Sequence, residues 1–157
     1  MKITKVEANN RKKAFEVRTR EASYPFPYAK LRVQPSASNR VAEVGPDVEL
    51  GKEAFTYVLE SGEEDTVHLD AVLEYNQDPS YLMELLVHRL TLEARAAVDE
   101  SGLSKREFIR RLGTSASQFY RLLDPSYQGK SVGQLLTLLH LVGRDVDVVE
   151  RPSHATA

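Results

Sequence analysis

The chain of 157 residues contains no cysteine. That excludes disulfides, thiolate zinc centres and cysteine nucleophiles, and it fits a reducing, cytoplasmic setting. Long apolar runs are missing too. No stretch approaches the ~18 consecutive apolar residues of a membrane span, and the opening MKITKVEANNRKK has no apolar signal core, so no membrane association is expected. His68, His88, His140 and His154 stand singly, without the His-x-x-x-His spacing of a metal site. There is no glycine-rich phosphate loop and no nucleophile-elbow sequence. Glu63, Glu64 and Asp65 read as a solvated loop rather than a cation site. With no catalytic constellation in view, neither an enzyme nor a cofactor or metal is expected.

What is present is an ordinary globular composition, 41% hydrophobic and 28% charged. The net charge of −2 is unevenly spread. From Met1 to Asp78 there are 11 Lys+Arg against 14 Asp+Glu, a net of −3. From Leu103 to Lys130, six basic residues (Lys105, Arg106, Arg110, Arg111, Arg121, Lys130) face only Glu107 and Asp124, a net of +4. Counterion release depends on such local patches, so the total charge does not exclude nucleic acid as a partner.

The first half reads as strands. Phe15–Arg18 and Tyr28–Val33 alternate in polarity, and Val41–Val44, Ala54–Leu59 and Thr66–Leu73 are further short candidates. Prolines, glycines and the polar Glu60–Asp65 hairpin loop punctuate them. A small antiparallel sheet, curled like a partly closed barrel, is predicted. Tyr24-Pro25-Phe26-Pro27-Tyr28 reads as a rigid turn with its rings in the core rather than as a ligand groove.

At Asp78 the pattern changes to helical. Asp78 caps a helix that starts at Pro79 and carries Leu82, Leu85, Leu86, Leu90, Ala94, Ala97 and Val98 at helical spacing, up to about Glu100. Ser101-Gly102 ends it. Three capping boxes follow, Ser104/Glu107, Ser115/Gln118 and Ser131/Gln134, each before an apolar helical pattern. The helix from Ser131 to Val142 is apolar most of the way round, which predicts burial, and Gly143 ends it. Val146, Val148 and Val149 suggest a short strand. The predicted fold class is therefore α+β. A small antiparallel β domain (1–78) precedes an all-α helix-turn-helix domain of four to five helices (79–150), with a flexible tail at 151–157.

Leu103–Leu123 is the segment that points to chemistry. Phe108, Ile109 and Leu112 form one apolar stripe; Phe119, Leu122 and Leu123 form the next. Gly113 between them supplies the positive φ that re-aims the chain. The later helix then shows Ser117, Gln118, Tyr120 and Arg121 outward, and its N-terminus at Ser115 and Ala116 offers free N–H groups to a phosphate.

Over roughly Leu82–Val149 the sequence resembles the Cro/C1-type (XRE-like) helix-turn-helix proteins. The resemblance lies in Leu103-Ser104-Lys105-Arg106-Glu107, the Leu112-Gly113-Thr114-Ser115 turn, Ser117-Gln118-Phe119-Tyr120-Arg121-Leu122-Leu123-Asp124, and the closing Ser131–Leu138 and Leu141-Val142-Gly143. Arg121–Pro125 and Gly143–Val146 look most like antitoxin-type repressors. The resemblance implies a cytoplasmic, homodimeric transcriptional repressor or antitoxin-like autoregulator of double-stranded DNA. Lys105 and Ser115 would hold phosphates, and Lys130 is a further phosphate candidate. Ser117, Gln118 and Arg121 would face bases, with Tyr120 on the same surface. Arg121 suits guanine and Gln118 adenine. Two residues depart from the pattern: Ile109 replaces a small residue and Phe119 a β-branched one, which predicts a wider or differently angled helix crossing.

The resemblance does not reach the first 78 residues, which are read as sensing a ligand, binding a toxin or other protein, or extending a dimer; Leu82–Val98 or a Val146–Val149 strand is expected to supply the dimer surface. The competing reading is a protein-interaction module, toxin-neutralising or scaffolding, whose helical half does not bind DNA.

Overall fold

The computed structural model describes residues 1–127 and 129–153. The protein is of mixed α+β class. Six strands come first: β1 (Ile3–Asn9), β2 (Ala14–Thr19), β3 (Ser23–Pro27), β4 (Val41–Pro46), β5 (Ala54–Leu59) and β6 (Glu64–His68). The helices follow: α1 (Leu69–Tyr75), α2 (Pro79–Glu100), α3 (Lys105–Leu112), α4 (Ala116–Leu123) and α5 (Val132–Leu141). No helix of the described residues is long and apolar enough to cross a membrane. The chain divides into two compact units, with the division between Leu82 and Met83. Most of the expected tail, and His154 with it, lies outside the described residues.

The first unit holds two three-stranded antiparallel sheets, β1-β2-β3 and β4-β5-β6, where the sequence predicts one. Phe15 occupies the centre of their shared core, with the rings of Tyr28, Phe55 and Tyr57 each 5.1 Å away. Ile3, Val17, Ala54, Leu59 and Val72 are also fully buried. Burial also holds the Tyr57 hydroxyl in its neutral form: its pKa is pushed up to about 12, chiefly by desolvation and then by the nearby Asp65 charge. Tyr24, Phe26 and Tyr28 are all buried, so the Tyr24–Tyr28 rings belong to the core. The segment itself is the edge strand β3, where Pro25 needs no N–H partner.

Two sequence expectations are corrected here, and one strand is additional to them. Tyr28–Val33 is not a strand: Tyr28–Lys30 forms a 3-10 turn. Its buried residues are Tyr28 and Leu31, three apart, whereas an alternating strand would bury Ala29 and Leu31. Thr66–Leu73 changes type in its middle, β6 ending at His68 and α1 starting at Leu69. Leu69, Val72 and Leu73 are the buried positions, the i, i+3, i+4 set of a helix face. Finally, β1 has no counterpart in the sequence reading. An irregularity between Ile3 and Lys5 places the buried Ile3 and Val6 three residues apart, which erases the period-two signal.

The second unit packs Leu90, Ala94, Ala97 and Val98 of α2 against Phe108, Phe119, Leu122, Leu135, Leu138 and Leu139. As predicted, Asp78 caps α2, its Oδ2 accepting from Tyr81 N–H at 3.1 Å. α5 is not buried all round. Leu135, Leu138 and Leu139 face the core, Val132, Leu141 and Val142 are half-buried, and Leu136 is exposed. Three neighbouring elements cover only one side of a ten-residue helix, so its surplus apolar residues meet solvent. No strand forms at Val146–Val149; Val148 and Val149 are almost fully exposed, and an isolated segment has no ladder to join.

Candidate nucleic-acid interface

Two eight-residue helices and the turn between them build the site. α3 ends on Gly113, whose φ of 63° and ψ of 36° are left-handed. Gly113 N–H donates to the Arg110 carbonyl and Thr114 N–H to the Ile109 carbonyl, each at 3.2 Å. This paired closure satisfies the last carbonyls of α3 and turns the chain into α4. Ser115 then caps α4, its Oγ accepting from Gln118 N–H at 3.2 Å. Phe108 and Phe119, both fully buried, stack with centroids 5.8 Å apart and planes 12° from parallel. The large Phe119 is thus taken up by ring stacking across the two helices.

Of the three predicted capping boxes, only Ser131/Gln134 is reciprocal. In the other two, the N3 side chain has a better partner. Gln118 Oε1 accepts from Thr114 Oγ1 at 2.6 Å. The Glu107 carboxylate accepts from Arg110 and, at 2.9 Å, from Arg111. The two guanidiniums hold Glu107 well below its ordinary value of 4.5, at about 2. A carboxylate depressed on folding stabilises above its unfolded pKa and loses that contribution as pH falls through the folded one. The stability difference between the wild type and Glu107→Gln should therefore be full at pH 6 and shrink between about pH 4.5 and 2. Urea midpoints measured across that range check this; a difference that stays constant would refute it.

The structure brings Ser117, Gln118, Tyr120 and Arg121 to the exposed side of α4. Tyr120 is half exposed, and its ring carries the Lys105 ammonium 5.4 Å from the centroid, which ties α3 to α4. The Arg121 guanidinium lies 5.6 Å from the Tyr127 ring. Ser115 Oγ lies 3.3 Å from Ser117 Oγ at the helix start. Gln118 and Arg121 also line a cleft of about 410 Å³, together with Gln134. The Tyr127 contact is not legible from sequence, because Tyr127 reaches Arg121 only through the loop after α4. The Glu107 clamp does have a signal, in its i+3 and i+4 arginines.

No family model matches the chain, and neither the curated proteins nor the solved structures contain a match to it.

Lys130 does not belong with the phosphate candidates. It is only 8% exposed, and its ammonium donates to the carbonyls of Leu122, at 3.3 Å, and Asp124. Those carbonyls lie at the negative end of α4, so a cation is favoured there. Burial pulls the Lys130 pKa down, with the Asp124 charge opposing the shift. Lys130→Met should cost about 1–3 kcal/mol of stability through the unsatisfied carbonyls. It should leave the salt dependence of any DNA binding unchanged, whereas a slope lower by about one would return Lys130 to the phosphate contacts. With Lys130 buried and Arg110 and Arg111 paired, the cations of this segment without a carboxylate partner among the described residues are Lys105, Arg106 and Arg121.

Proposed function

We propose that this protein is a sequence-specific DNA-binding regulator that places α4 in the major groove and acts as a cytoplasmic repressor or antitoxin-like autoregulator rather than as an enzyme. The observation that carries this reading is the exposed face of α4. Ser117, Gln118, Tyr120 and Arg121 project from a short helix whose base is fixed by the Gly113 turn and the Phe108–Phe119 stack. Side chains of these types match the donor and acceptor pattern of base edges, arginine to guanine and glutamine to adenine. Gln118 Oε1 has a second lone pair beyond its Thr114 bond, so it can accept from a base while its amide donates. Lys105, Arg106 and the α4 N-terminus supply phosphate contacts beside that face.

One helix reads too few base pairs for specificity, so the protein works as a homodimer on a two-fold-related operator. The β unit senses a ligand or engages a partner protein such as a toxin.

Gel-shift titration against duplex from the protein's own promoter region, at rising salt, tests the proposal. The logarithm of the affinity should fall steeply and linearly with log salt. No binding to any duplex at low salt would overturn it and favour the alternative, an interaction module that neutralises a toxin or serves as a scaffold.

A further inference from the structure

The first unit carries more acidic than basic residues, yet the charged residues that line one of its depressions are all cations. Arg11, Lys12, Lys13 and Arg40 border a hollow of about 810 Å³, and no carboxylate lines it. Among the described residues none of the four is paired with an acidic side chain. Four uncompensated charges at one place repel one another, and an anion between them relieves that repulsion. The rest of the lining is mixed, with Pro27, Tyr28, Ala29, Pro35 and Ala37 beside the polar Asn10, Gln34 and Ser36. The volume falls in the range of small-molecule sites, about 300–1,000 Å³.

Backbone geometry is unusual at the same place, as it is at Lys52 and Gln77. Lys13 has a φ of 52°, a left-handed conformation where glycine or asparagine is the usual occupant. Its carbonyl is tied down by the Tyr28 N–H at 2.8 Å, so the cationic turn between β1 and β2 is fastened to the wall of the hollow.

We propose that this depression binds a small organic phosphate of nucleotide size, its phosphate among Arg11, Lys12, Lys13 and Arg40 and its apolar body against Tyr28 and Pro35. A phosphate monoester carries nearly two negative charges at pH 7, which suits four cations better than a single carboxylate does. Arginine can also grip it through two parallel hydrogen bonds. The site is independent of whether α4 reads DNA.

Calorimetric titration of the full chain with AMP, adenosine and inorganic phosphate at low salt is the test. AMP should bind once per chain, more tightly than either control, and more weakly as salt rises. Lys13→Gly removes one charge while relaxing the strained φ, so the fold is kept. It should weaken AMP about tenfold or more, the effect of one lost charged hydrogen bond, with a melting temperature no lower than the wild type's. Arg40→Gln should do the same. The proposal is overturned if AMP shows no saturable binding at millimolar concentration, if adenosine binds as well as AMP, or if Lys13→Gly binds AMP like the wild type. It is equally overturned if Lys13→Gly weakens duplex binding while AMP does not bind, which would make the patch a nucleic-acid contact.

Discussion

Phe119→Ala is expected to remove about 3–5 kcal/mol of stability, the usual cost of truncating a fully buried phenylalanine. Phe119 has no solvent exposure and stacks on Phe108 between α3 and α4. The cavity would open where those two helices meet, with Leu122 and Leu135 in the same cluster. At about 0.05–0.15 kcal/mol per residue, a unit of this size holds only a handful of kcal/mol, so the loss takes much of it. The β unit has its own core around Phe15, Phe55 and Tyr57 and should keep its protection. Hydrogen exchange resolved by segment is the measurement. Amides of α3, α4 and α5 should exchange faster while those of β2 and β5 do not. Equal acceleration in both units would show that they unfold as one, contrary to this prediction.

Arg121→Ala should weaken binding to a specific operator by about 1–3 kcal/mol, or roughly 5- to 150-fold, if Arg121 reads a base. Its side chain is exposed and its guanidinium lies over the Tyr127 ring, so the fold should survive the change. Arg121→Lys separates the two roles an exposed cation can have. A lysine keeps the attraction to phosphate but lacks the planar fork that meets guanine through two bonds. Base reading predicts that the lysine variant binds the operator nearly as poorly as the alanine variant while its affinity for unrelated duplex is preserved. Operator affinity retained in Arg121→Lys would reduce Arg121 to a phosphate contact.

The parts of the molecule that were legible in the sequence are those set by local chemistry. Ser104, Ser115 and Ser131 cap their helices because a serine oxygen three residues before an N–H needs nothing from the rest of the chain. Gly113 marks its turn for the same reason. β5, with Phe55, Tyr57 and Leu59 alternating inward, coincides with the expected Ala54–Leu59. What escaped depends on contacts distant in sequence or on irregular backbone. The step in register at Ile3 hides β1. A strand that runs straight into a helix at Leu69 leaves no turn residue to mark the change. In the candidate site, exposure of Ser117, Gln118, Tyr120 and Arg121 follows from helical periodicity, since Phe119 and Leu122 take the inward positions. The fate of each charge does not follow from it. Lys130 looks like any surface lysine until the chain after α4 folds back and buries it against Leu122 and Asp124.

The pairing order of the strands bears on how quickly the first unit can form. Every hydrogen-bonded neighbour in β1-β2-β3 and β4-β5-β6 is the next strand along the chain. Each meander can therefore zip up by closing short loops, whose entropic cost is small. Joining the two meanders is the costly event, marked by the Ile3 N–H on the Lys52 carbonyl at 2.8 Å, across nearly fifty residues. Folding of this half should accordingly be fast for a β structure, with a barrier set by the meeting of two preformed ribbons rather than by the making of either.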